Sequence, residues 1–144
     1  MLNIYCELCD QDGGDVIFRN KYLRIVLVDD ADYPGFCRVI WNAHIKEMTD
    51  LAPTERSMLM KTVCVVESVI REIMQPEKIN LASLGNMVPH LHWHIIPRYA
   101  DDAQFPAPIW AAAKREPKLD VMTARQSLLP ILRKAMAQRL NLSV

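Results

Sequence analysis

The sequence predicts an α+β fold: a five-stranded antiparallel sheet with one long central helix and a C-terminal helix. Three observations predict it. His90-Leu91-His92-Trp93-His94-Ile95-Ile96 alternates polar and apolar residues, the period of a half-buried strand. Leu59, Val63, Val66, Ile70 and Ile73 recur at three- and four-residue steps, the period of a helix with one buried face. Runs of strands interrupted by that helix, with no βαβ alternation, favour an antiparallel sheet over a parallel one.

The elements follow in order. A short lead carries Cys6 and Cys9, and Asp12-Gly13-Gly14-Asp15 is a turn signal. Val16 to Arg19 and Tyr22 to Val28 are β-rich runs separated by Asn20-Lys21, as in a hairpin. The polar loop Asp29 to Gly35 leads into a third strand, Phe36 to Trp41. Pro53 and Thr54 open the long helix, and Pro76 stops it after Met74. Ile79 to Leu84 reads as the fourth strand and His90 to Ile96 as the fifth. Residues 100–118, with Pro106, Pro108 and Pro117, form an irregular arm. Thr123-Ala124-Arg125-Gln126 has capping-box spacing and starts a last helix over about 123–140, which Pro130 kinks or displaces. With 144 residues and no repeat or linker, a single domain over 1–144 is expected.

Bulk composition narrows the partners. Seventeen basic and seventeen acidic residues cancel, so no global field attracts long nucleic acid, while a small anion held by local groups remains open. No apolar window is long enough to span a bilayer. Met1 to Asp10 lacks the charged and apolar regions of a secretory signal, so a cytoplasmic protein with reduced thiols is expected. Cys37 and Cys64, among Val and Met, are expected in the core.

Three of the four histidines stand at alternate positions of one predicted strand. Imidazole serves as acid, base, nucleophile and metal ligand near neutral pH, so the row is a site candidate. A solvated strand face carrying histidine is the bland alternative. Separately, Cys6-Glu7-Leu8-Cys9 is a C-x-x-C knuckle whose two thiolates can hold one metal ion, with two further ligands needed from elsewhere. A redox-active pair or two buried apolar cysteines are the competing readings.

The pattern His-φ-His-φ-His-φ-φ, with φ apolar, resembles the signature of the histidine triad (HIT) superfamily of nucleotide hydrolases and transferases. The likeness runs over about residues 4–99, through the Cys-x-x-Cys, the hairpin, the Pro-Gly turn, the helix and the motif strand ending in Pro-Arg. It is similar to a bacterial subgroup of small HIT proteins. The resemblance implies that His92 attacks the α-phosphorus of a nucleotide to give a nucleotidyl-histidine, which water hydrolyses. His94 then assists at the phosphate or the leaving group. Dinucleoside polyphosphates, nucleoside phosphoramidates and related conjugates are the implied substrates, and a homodimer whose two sheets join edge to edge is the implied assembly. Asp29, Ser83, Asn86 and Arg98 are the implied substrate-binding residues. Cys6, Cys9, His44 and His90 are the implied ligands of a structural zinc, and no organic cofactor is expected. One position departs from the pattern: many HIT enzymes carry another histidine where this chain has Phe36. A nucleotide-binding protein with little turnover therefore stays open, as does a zinc hydrolase that uses the three triad histidines as ligands.

Overall fold

The computed structural model describes residues 5–143. The first four residues of the lead, with the expected start of the core at residue 4, lie outside the described residues. After a short helix α1 (Glu7–Asp10) come β1 (Asp15–Arg19), β2 (Leu23–Leu27) and β3 (Cys37–Trp41). The long helix α2 (Pro53–Met74) follows, then β4 (Lys78–Ala82), β5 (His92–Arg98), α3 (Leu119–Ser127) and α4 (Leu129–Ser143). The five strands form one antiparallel sheet in the order β1-β2-β3-β5-β4, so the histidine-bearing strand is interior. The predicted α+β class holds.

The two faces of the sheet have different covers. Cys37, Val39, Trp41 and Ile95 point into the main core, against Leu59, Val63, Val66 and Ile70 of α2. These four are members of the five-residue stripe read from the sequence and are fully buried, while the fifth, Ile73, is half-buried at the margin of the core. Pro53 sits in the first turn of α2, where a missing N–H is harmless, and Glu55 accepts from the Ala52 N–H at 3.1 Å. Gln75, in the left-handed region at φ 48°, ends the helix by returning its N–H to Arg71. Leu132, Met136 and Leu140, one face of α4, complete this layer.

On the other face, Val26 and Ile40 are covered by Cys6 and Leu8 of the lead, and Ile96 by Tyr33 and Phe36. The arm is anchored there by a buried ion pair. Arg98 Nε and Nη2 donate to Asp102 at 2.8 and 3.0 Å, and Asp102 also accepts from the N–H groups of Tyr99, Gln104 and Phe105. Arg115 Nη1 donates to the Asp102 carbonyl at 2.6 Å. No helix among the described residues is long and apolar enough to cross a membrane.

Several boundaries differ from the sequence reading. The fifth strand begins at His92, because His90 lies in a bend where its N–H returns to Val88 and the Leu91 N–H goes to Ile45. The last helix starts at Leu119 rather than at Thr123, whose hydroxyl donates backward to the Leu119 carbonyl instead of capping. A break at Leu128 puts Pro130 in the first turn of a new helix, where proline fits. Cys37 is buried as expected, but Cys64 is exposed on the outer side of α2.

Candidate functional site

The triad histidines fall in two places. His92 and His94 are only 8% and 6% exposed, and they floor a cavity of about 380 Å³. Their rings meet edge to face at 4.9 Å. The walls come from Glu7 and Leu8 of the lead, the loop Leu84–Val88 and Trp110 of the arm. His92 Nδ1 lies 2.5 Å from the His90 carbonyl, and a carbonyl can only accept, so Nδ1 carries the proton. Its Nε2 then keeps a free lone pair, with one proton fixed on the far side of the ring. Burial holds the His92 and His94 pKa values below their ordinary range, and His94 falls to about 4, helped by His92 and Arg38. Both imidazoles are therefore in a low-dielectric floor that disfavours a second proton.

His90 turns away from this floor. Its Nε2–H donates to the Trp41 carbonyl at 2.5 Å, and its Nδ1 faces Cys6 and Cys9 Sγ, each at 3.5 Å. His44 Nδ1 stands 3.4 Å from Cys9 Sγ. The four ligand atoms of Cys6, Cys9, His44 and His90 all lie within 4.8 Å of one another. Usual Zn–S and Zn–N bonds at a tetrahedral angle put S and N about 3.6 Å apart, close to these separations. A ligating histidine that donates its other N–H to a backbone carbonyl is also the usual outer arrangement of a metal site. These four residues could hold a metal ion with no position left for water. The three triad histidines do not converge in this way, because both His90 nitrogens are turned to other groups.

The substrate-binding candidates scatter. Asn86 lines the cavity. Ser83 supports its floor from below, donating to the His92 carbonyl at 2.7 Å. Asp29 is exposed beyond the end of β2 and does not line the cavity. Arg98 must be corrected: it is 2% exposed, and its donors go to Asp102, Asn80 and the Ala107 carbonyl, so it anchors the arm rather than a substrate.

Sequence reasoning missed Arg38 and the place of Trp110. The β3–β5 register pairs Arg38 with His94, and its Nε–H points at His94 Nδ1 at 3.4 Å. Trp110 meets His94 edge to face at 5.4 Å, on the same chain. Phe36 does likewise at 5.6 Å. The alternation Phe36, Arg38, Ile40 was a signal for the first, since it puts an arginine on the histidine face. Nothing local marks the second, which depends on the Asp102 anchor.

Comparison with known proteins agrees with the motif and the fold. The HIT domain model matches residues 11–101. A histidine triad protein from Bradyrhizobium japonicum superposes with a TM-score of 0.69 at 30% identity, over 85% of this chain and 91% of that one. The AP-4-A phosphorylase of Mycobacterium tuberculosis is 30% identical over 105 residues, 69% of this chain and 53% of the relative. The asymmetrical bis(5'-nucleosyl)-tetraphosphatase of Schizosaccharomyces pombe is 30% identical over 95 residues, 62% and 52%. The chain spans about half the length of the curated relatives it matches. Motif, fold and family match together make this chain a member of the histidine triad family.

Proposed function

We propose that the protein is a nucleotide hydrolase or transferase that works through a nucleotidyl-His92 intermediate. Dinucleoside polyphosphates, nucleoside phosphoramidates and related conjugates fit as substrates. The observation that carries this reading is the His92 Nδ1 contact with the His90 carbonyl, which leaves Nε2 as a nucleophile at the floor of the cavity. The Nε2 lone pair forms a bond to the α-phosphorus, and the bond to the leaving oxygen or nitrogen breaks with its electron pair. Water then attacks the same phosphorus and frees His92, while His94 and Asn86 hold oxygens of the transferring group. Asp29, which does not line the cavity, is the residue proposed for the ribose. Names given to relatives, AP-4-A phosphorylase and bis(5'-nucleosyl)-tetraphosphatase, support the polyphosphate class.

Cys6, Cys9, His44 and His90 fit a structural zinc, which ties the lead and the exit of β3 to the turn before β5. Zinc supplies stability here and no step of the reaction. A cytoplasmic homodimer belongs to the same reading, with the unpaired outer edge of β4, where Leu81 is exposed, as the place for a second sheet.

The test is release of AMP from adenosine phosphoramidate and from diadenosine tetraphosphate, with His92→Ala as the control. Release by wild type alone supports the reading. Nucleotide binding without release from either substrate favours a binding protein instead. Phe36 is the observation on that side: it is 3% exposed, packs with Tyr33 and Ile96, and brings only an apolar edge to His94.

A further inference from the structure

Arg38 is the only Lys or Arg that lines the histidine cavity among the described residues. Strand β3 aims it there, since Phe36, Arg38 and Ile40 share the face opposite to Cys37, Val39 and Trp41. Its guanidinium is held at defined points. Nη1–H donates to the Gly13 carbonyl at 3.0 Å, and Nε–H points at His94 Nδ1. It also rests over the Phe36 ring, 5.5 Å from the centroid.

Those contacts aim the charge without neutralising it. None of the ion pairs among the described residues includes Arg38, and Nη2 makes no hydrogen bond within them. Glu7 and Asp30 are near enough to favour its charged form, yet burial outweighs them and lowers its pKa. The two fully buried arginines among the described residues have their donors engaged: Arg24 on three carbonyls and Asn42, Arg98 on Asp102. A half-buried cation without an anion is unfavourable, and an anion in the adjoining cavity removes the penalty.

We propose that Arg38 binds the phosphate chain of the substrate beyond the α-phosphorus, and so sets a preference for anionic leaving groups. The inference rests on the nucleotide-hydrolase reading above and names a specificity residue within it. The same contact orients His94. With Nε–H of Arg38 at its Nδ1, the His94 proton sits on Nε2, and the imidazole offers an N–H to the same chain. Phe36 offers no hydrogen bond, and Arg38, two residues on and on the same face, is the donor beside it.

The test measures binding of adenosine, AMP and ADP to wild type, Arg38→Gln and Arg38→Lys by calorimetry. Turnover of adenosine phosphoramidate and diadenosine tetraphosphate is measured on the same proteins. Arg38→Gln is expected to weaken ADP about tenfold to a hundredfold, the range of a hydrogen bond to a charged group, with adenosine unchanged. Its kcat/KM falls further for the polyphosphate than for the phosphoramidate. Equal losses across the three ligands, or across the two substrates, would overturn the proposal, as would wild type that binds adenosine as tightly as ADP. Should Arg38→Gln not fold, Arg38→Lys decides: it is expected to keep the ADP preference within about threefold while lowering kcat through the lost contact to His94. A folded Arg38→Lys that loses the preference overturns it. Wild type that cleaves neither substrate removes the hydrolase reading alone. Charge-dependent binding that Arg38→Gln abolishes then still supports Arg38 as the anion site.

Discussion

The ring of His92 hangs from the main chain of His90: its Nδ1–H meets that carbonyl at 2.5 Å, two residues back. The contact selects the tautomer and holds the plane of the ring, so the free nitrogen does not have to be found at the moment of reaction. His92→Ala is expected to lower AMP release by about a thousandfold or more, with an unchanged circular dichroism spectrum. Added imidazole restores part of the loss if the role is nucleophilic, and restores none if His92 only supports the floor.

Metal content tests the four-residue cluster. Zinc measured by mass spectrometry is expected near one per chain in wild type and well below half of that in Cys6→Ser. Removing the ion with a chelator lowers the melting temperature by roughly 10 °C, because binding to the folded chain alone is folding free energy. A Cys6→Ser protein with full zinc would show that the knuckle is not the site.

The low pKa of His94 makes a pH prediction with a definite sign. Its folded value is about 4, against 6.5 ordinarily, mainly through burial. Between those values the unfolded chain binds a proton there and the folded chain does not. Stability therefore declines as pH falls from about 6.5 to about 4, by on the order of 3 kcal/mol, and this contribution is flat below. Urea denaturation of wild type and His94→Asn, compared across that window, isolates it. The variant is expected to lose less stability on acidification than wild type, and parallel curves would show that His94 titrates normally.

The Arg98–Asp102 pair holds the arm. Asp102→Ala leaves a guanidinium buried without its anion and frees the N–H groups of Tyr99, Gln104 and Phe105. A loss of about 3–5 kcal/mol is expected in chemical denaturation. Proteolysis in residues 100–118 should accelerate more than elsewhere, and indole fluorescence from Trp110 should change, since the anchored arm carries Trp110 against His94.

What could be read from the sequence was whatever is periodic. The α2 stripe and the β5 alternation are local rules of one element, and Leu59, Val63, Trp93 and Ile95 obey them. The cluster of Cys6, Cys9, His44 and His90 came from family likeness, and the fold brings those ligand atoms together. The missing parts are contacts between elements. Arg98 stood among the implied substrate-binding residues, because its partner Asp102 lies four residues on and beyond a turn that periodicity does not show. Strand alternation signals the face that Arg38 takes, but its place beside His94 follows from the β3–β5 register, which is a contact between elements. His90 shares a motif with His92 and His94 but not a strand, since the bend at Val88–Leu91 rotates it toward the cysteines.

Arg24 adds one more consequence. Its guanidinium grips the carbonyls of Leu8, Gln11 and Asp12, at 2.6, 3.1 and 2.9 Å, and each is a main-chain atom that any residue supplies. The wall of the cavity made by Glu7 and Leu8 is thus moored through groups that do not change with the amino acid. Side chains along that wall are free to be exchanged while the wall stays where it is. A laboratory redesign, or natural drift, can alter what the cavity admits by changing Glu7 without having to rebuild the segment that presents it.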